Sequence, residues 1–109
     1  IQGGNLSTSE KWGIDLARRM AHKLPDEPGL IKHVRGIVSM ARSDEANSAT
    51  TNFFILVSDG HHLDGKFSAF GRVIEGIEVA DAINHAPLEG EKPEKPVRIN
   101  RALVVACKK

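Results

Sequence analysis

Asn52-Phe53-Phe54-Ile55-Leu56-Val57 is the stretch on which the fold turns. It joins aromatic and β-branched residues at the length of one strand, with polar turn-forming residues on both sides. Side chains alternate across a strand, so Phe53, Ile55 and Val57 share one face, and Asn52, Phe54 and Leu56 the other. Both faces are largely apolar, so both must be covered. Immediately upstream, residues 43–51 are rich in Ser, Thr, Asn and Asp and read as a loop. Before that loop, residues 36–41 form a short apolar run that reads as another strand. Downstream, Asp59-Gly60 and Asp64-Gly65 are turn signals, and residues 66–74 read as the returning strand.

Farther out, Ile77, Ala80 and Ile83 are spaced for one face of a short helix over residues 76–84, with Pro87 beyond its end. Residues 87–96 read as a Pro- and Lys-rich loop, and residues 97–106 as a last strand. In the other direction, Ile14, Leu16, Ala17, Met20, Ala21 and Leu24 keep partial helical spacing until Pro25 and Pro28 stop it. Residues 1–11, with the Gly3-Gly4 pair and a polar run, read as a strand end entering a loop. Several strands with two short helical stretches predict a mainly β barrel or sandwich.

The chain's 109 residues amount to one domain at most. With 40% hydrophobic and 27% charged residues, the composition fits a soluble globular protein rather than a disordered tail. No stretch approaches the ~20 consecutive apolar residues of a membrane-spanning helix. The net charge is +1 with Lys and Arg dispersed, so electrostatics make no case for nucleic acid or an anionic membrane as a partner. Cys107 is the sole cysteine, which rules out an intrachain disulfide, and beside Val104, Val105 and Ala106 it reads as a packed thiol. The chain opens on Ile1 without a signal peptide, so its true N-terminus is expected upstream, and the location is expected to be cytoplasmic.

Three stretches together resemble the cyclophilins, particularly their bacterial-type branch. They are Ile1-Gln2-Gly3-Gly4; Arg35-Gly36-Ile37-Val38-Ser39-Met40-Ala41-Arg42, continuing through Asn47-Ser48-Ala49-Thr50 to Asn52-Phe53-Phe54-Ile55; and Leu63-Asp64-Gly65-Lys66-Phe67-Ser68-Ala69-Phe70-Gly71-Arg72-Val73. Gly76-Ile77-Glu78-Val79-Ala80-Asp81 and Pro96-Val97-Arg98-Ile99 also match, so the resemblance runs over nearly the whole chain. It implies an antiparallel cyclophilin-like β-barrel, incomplete here, with residues 1–109 as a single domain that lacks its first strands and first helix. The implied activity is peptidyl-prolyl cis–trans isomerisation assisting protein folding. Such chemistry breaks no covalent bond and requires no nucleophile, metal or redox cofactor; it favours a twisted amide over a planar one.

The resemblance also implies a site. Gln2 stands where the family hydrogen-bonds the substrate backbone, and Asn52 replaces a usual glutamine with one methylene less reach. Phe54 and Leu63 match the proline pocket, and Phe67 stands where many members have histidine. Ala41 lies on the strand that meets the peptide main chain, and its neighbour Arg42 replaces the commoner asparagine of eukaryotic members. His62 stands where the best-known members carry tryptophan. The implied partners are proline-containing peptides and unfolded or partly folded proteins, with weak binding of the cyclic peptide ciclosporin. The family's catalytic arginine sits just upstream of the Gln-Gly-Gly motif, and Arg18, Arg19 and Arg42 do not occupy that position. Residues 1–109 alone are therefore expected to be nearly inactive.

Simpler readings compete with these. Strand aromatics mostly pack, and Phe53 and Phe70 are read as core. His61-His62 invites a zinc site, but adjacent side chains point apart and no Cys or acidic partner has zinc-like spacing, so solvent-exposed loop histidines are expected. Asp44-Glu45 reads as a solvated turn, and Asn5-Leu6-Ser7 as a chance match to a glycosylation acceptor. At the level of function, the alternatives to an isomerase are a proline-peptide binding module with weak or lost catalysis and a structural fragment. The departures at Asn52 and Phe67 keep the binding module in play.

Overall fold

The computed structural model describes residues 1–6 and 11–106. Its centre is a four-stranded antiparallel sheet in the order β1-β3-β2-β4: β1 (Gln2–Gly3), β2 (Ile37–Met40), β3 (Phe53–Ile55) and β4 (Ala69–Arg72). Hydrogen bonds carry the pairing past the formal strand ends. The Ala41 N–H donates to the Asn52 carbonyl (3.0 Å), the Gly36 N–H to Leu56 (2.8 Å) and the Val73 N–H to Gly36 (2.8 Å). The expected strands over residues 36–41, 52–57 and 66–74 are all present, each with a shorter regular centre.

Register decides what each face holds. Gln2 lies opposite Phe54, and Phe54 opposite Ser39, so these three side chains and Ile37 lie on one side of the sheet. Val38, Met40, Phe53 and Ile55 lie on the other. Ile37 and Ser39 are buried, and with Leu16, Ala49, Ala80 and His33 they make up the most enclosed part of the molecule. The sheet is an incomplete antiparallel barrel: among the described residues it does not close, and β1 and β4 remain its edges.

Two helices flank it, α1 (Ile14–Ala21) and α2 (Ile77–Asn84), both where the apolar spacing places them. Leu16 is the buried residue of α1 and Ala80 that of α2. Arg35 holds α2 in place through a bidentate pair with Asp81 (2.7 and 2.6 Å) and a bond from Nη1 to the Val57 carbonyl (2.6 Å). That hydrogen-bonded pairing holds the Asp81 carboxyl below the ordinary carboxylate range.

Three expectations are corrected. Residues 97–106 do not form a strand; Val97, Ile99, Leu103, Val104 and Val105 are each more than half exposed. Strand propensity is realised only against a partner ladder and a face to cover, and this run has neither. Residues 87–96 are more than a loop: β5 (Leu88–Glu89) and β6 (Lys92–Pro93) pair around a tight turn that Gly90 makes possible with φ 67°. Phe70 is not core but 62% exposed, because it sits on edge strand β4 facing a groove of about 190 Å³ with Leu24, Pro25 and Met40. Cys107 and Ser7 lie outside the described residues, and with them the packed-thiol and glycosylation readings.

Candidate functional site

The site is built where β1, β3 and the turn after β3 meet. Phe54 projects from the centre of β3, and its ring meets that of Phe67 edge-on, with centroids 5.9 Å apart and planes at 82°. Such a pair contributes about 0.5–1.5 kcal/mol beyond its buried area. Phe67 is placed by Leu63, whose carbonyl accepts both the Lys66 N–H (3.1 Å) and the Phe67 N–H (3.3 Å). Leu63 ends a single 3₁₀ turn (His61–Leu63). Phe54 and Phe67, both half-buried, thus come from two segments that meet at one apolar corner, and the half-buried Leu63 holds the Phe67 backbone through its carbonyl.

Beside that corner lies a cleft of about 140 Å³ lined by Gln2, Ala41, Arg42, Ser43, Ser48, Thr50 and Asn52. Four residues singled out in the sequence, Gln2, Ala41, Arg42 and Asn52, therefore share one wall system. Gln2 is exposed and reaches it only because β1 pairs with β3, which sets Gln2 opposite Phe54. His62 is separate: it stands exposed on the 3₁₀ turn, beside Leu63 in sequence but outside the cleft lining.

Arg42 is not a free guanidinium. Its side chain is 16% exposed, and its carbon Cζ lies 4.9 Å from the centre of the Phe67 ring. Nη1 donates to the carbonyls of Ser43 (2.9 Å) and Glu45 (3.2 Å), Nη2 to that of Lys66 (3.2 Å), and Nε lies 3.6 Å from Asp26 Oδ1. Arg42 therefore staples the 43–48 loop, Asp26 and Phe67 together, forming the floor between the polar cleft and the apolar corner. Asp26 continues the lacing: its N–H donates to Asn47 Oδ1 (2.7 Å), and its Oδ2 accepts the Asn47 N–H (3.0 Å).

Behind Phe54 lies a group the sequence did not single out. His33 and Ser39 are 1% and 0% exposed, and His33 Nε2 is 3.0 Å from Ser39 Oγ. The His33 ring stacks on Phe54 at a 6.2 Å centroid distance and 25° between planes. Asp64 Oδ1 accepts the His33 backbone N–H (2.6 Å), and His61 Nδ1 lies 2.9 Å from Asp64 Oδ2. The one available signal was Ser39 itself, a polar residue in an otherwise apolar strand. His61 is exposed as expected, but it is partnered with Asp64.

Asp64 gives the site a pH dependence whose sign is fixed. The His33 backbone N–H, and then His61, hold its carboxyl below the ordinary value of 3.8. A carboxyl lowered on folding stabilises the fold fully above its unfolded value, and that contribution is lost as pH falls through the folded one. Urea midpoints should therefore show wild-type protein losing its advantage over Asp64→Asn as pH drops below about 4. A constant difference from neutral to acid pH would contradict the assignment.

Comparison with known proteins follows the same lines. A profile described as cyclophilin type peptidyl-prolyl cis-trans isomerase/CLD matches residues 1–104. The chain is 36% identical to "Peptidyl-prolyl cis-trans isomerase A" of Dickeya dadantii over 96% of this chain and 58% of that protein. It is 35% identical to "Peptidyl-prolyl cis-trans isomerase" of Acinetobacter baylyi over 91% of this chain and 56% of that one. It thus spans somewhat over half the length of these relatives. Among solved structures, cyclophilin AquaCyp293 from Hirschia baltica matches with a TM-score of 0.52 at 40% identity, over 60% of this chain and 23% of that chain.

Proposed function

The chain belongs to the cyclophilin-type peptidyl-prolyl cis–trans isomerase family, and we propose that the surface formed by Gln2, Asn52, Phe54, Leu63 and Phe67 binds X–Pro segments and speeds rotation about the prolyl amide. One observation carries the reading: an apolar corner of crossed aromatic rings stands directly beside a cleft lined by side-chain amides.

The uncatalysed barrier is ~18–20 kcal/mol, because rotation removes amide resonance. Bringing exchange from roughly 100 s to roughly 1 ms requires about 7 kcal/mol. A pocket that binds cis and trans proline equally well contributes none of this, since only preferential binding of the twisted state lowers the barrier. Phe54, Leu63 and Phe67 hold the ring and exclude water. The Gln2 and Asn52 amides grip the peptide around it, so that twisting moves the prolyl nitrogen and carbonyl relative to a fixed frame. Arg42 does not add a free cation, because Nη1 and Nη2 donate to carbonyls of its own chain and Nε lies beside the Asp26 carboxylate. Residues 1–109 taken alone are accordingly expected to turn over weakly.

The test is exchange NMR on an alanyl-prolyl peptide with catalytic amounts of the full-length protein. Accelerated cis–trans exchange supports the reading. Peptide binding without acceleration would replace it with the binding module, and the engagement of Arg42 is what favours that second reading. The clients proposed are proline-containing peptides and incompletely folded chains.

Ciclosporin is proposed to bind weakly, through His62. Where sensitive relatives present an indole, an imidazole offers less flat apolar area. At ~25 cal/mol per Å², losing several tens of Å² costs on the order of 1 kcal/mol. A lost hydrogen bond adds about 0.5–1.5 kcal/mol. His62→Trp is therefore expected to tighten inhibition about ten- to hundredfold with little change in turnover. Equal inhibition constants for the two proteins would remove His62 from the binding surface.

A further inference from the structure

The three residues behind Phe54 are of the types found in a hydrolytic triad, and they fall in triad order. Ser39 Oγ is 3.0 Å from His33 Nε2, and His33 Nδ1 is 3.4 Å from Asp64 Oδ1. Ser39 is 0% exposed, so no substrate carbonyl can reach it, and acyl transfer is ruled out on access alone. What remains is a buried polar unit in contact with the pocket wall.

The tautomer of its neutral imidazole follows from the partners. A neutral imidazole carries one N–H and one lone pair. Nδ1 is buried, has no hydrogen-bond partner of its own, and has the Asp64 carboxylate as its nearest charge. A lone pair there would face negative charge, whereas an N–H there is attracted to it. With the proton on Nδ1, Nε2 must accept, and the Ser39 hydroxyl must donate to it. Asp64 is in turn held as a carboxylate by the His33 backbone N–H and by His61. The His33 carbonyl also accepts the Gly60 N–H (2.8 Å), so residue 33 grips both ends of the 60–64 turn.

We infer that His33, as the Nδ1–H tautomer, is a positioning residue for the proline pocket: it fixes the distance between Phe54 and the turn that carries Leu63. The ring is pinned at three places. Its face lies on Phe54, Nε2 is tied to Ser39 directly across the ladder from Phe54, and the main chain and Nδ1 side meet Asp64, the residue after Leu63. Shifting any one of these would move the two sides of the pocket relative to each other. This role rests on the proposed isomerase reading, but its physical content does not depend on turnover.

The test has two arms on the full-length protein. In the first, ring ¹⁵N and ¹³C NMR of wild-type protein should report His33 as the Nδ1–H tautomer. The Nε2–H tautomer or a doubly protonated ring overturns the relay, whether or not the protein isomerises anything. In the second arm, His33→Gln leaves an acceptor for Ser39 but removes the stacked ring. The ring protons of Phe54 should shift, and KM for a prolyl peptide should rise about tenfold while kcat changes less than about threefold. In a Phe54→Ala background, the same substitution should leave KM unchanged, because its effect passes through Phe54. Additive effects in the double variant, or an unmoved Phe54 signal, overturn the positioning role. If His33→Gln does not fold, the wild-type tautomer still decides.

Discussion

Replacing Phe54 with alanine is expected to lower kcat/KM for prolyl peptides by roughly seventyfold. A proline ring seated against Phe54 buries ~60 Å² of apolar surface there, or about 1.5 kcal/mol. Phe67 loses its edge-on partner as well, a loss of about 1 kcal/mol in ordering the rest of the pocket. Together these reach about 2.5 kcal/mol, and each ~1.36 kcal/mol is a factor of ten in rate. Because Phe54 is only half-buried and its strand keeps both neighbours, the variant should still fold. Circular dichroism and a cooperative urea transition would confirm this before kinetics are read. Less than a threefold loss in a folded variant would place the proline elsewhere.

Gly4→Ala is expected to be the most damaging glycine-to-alanine change, at about 3–5 kcal/mol of stability. Gly4 has φ 87°, where a side chain already costs about 1–2 kcal/mol. A Cβ built there would also stand 2.2 Å from the Thr51 carbonyl oxygen, which is backbone and cannot rotate away. Relief requires β1 to move off β3. That breaks the bond from Thr51 Oγ1 to the Gly4 carbonyl (2.7 Å) and the pairing that sets Gln2 opposite Phe54. Each lost bond adds about 0.5–1.5 kcal/mol. The variant should lose stability in urea unfolding and lose the Gln2 contribution to turnover together. A cost below about 1 kcal/mol would show that β1 is not held as described.

The sheet was legible because its signal is local. The 52–57 run is aromatic and β-branched at strand length with both faces apolar, and 36–41 is a second short apolar run, so each announces a strand without reference to distant residues. The helix Ile77–Asn84 was legible from Ile77, Ala80 and Ile83 for the same reason. Residues 97–106 misled because β-branched composition states a preference, while the strand depends on a neighbour. The β5–β6 hairpin was hidden by Lys92 and Pro93, residues that seldom mark a strand. At the site, resemblance and alternation together brought out Gln2, Asn52, Phe54, Leu63 and Phe67. What could not be read was engagement. Nothing near Arg42 in sequence announces Asp26 or the Lys66 carbonyl, and the burial of His33 depends on Ser39, Phe54 and Asp64, which only the fold brings together.

Everything proposed for catalysis depends on a substrate proline sitting at the Phe54–Phe67 corner. The most direct measurement is an isotope-edited NOE experiment, with labelled protein and an unlabelled alanyl-prolyl peptide in excess. Contacts are expected from the proline ring protons to the aromatic protons of both Phe54 and Phe67 and to the Leu63 methyls. Contacts instead to Phe70, Leu24 and Met40, which line the other groove, would contradict it.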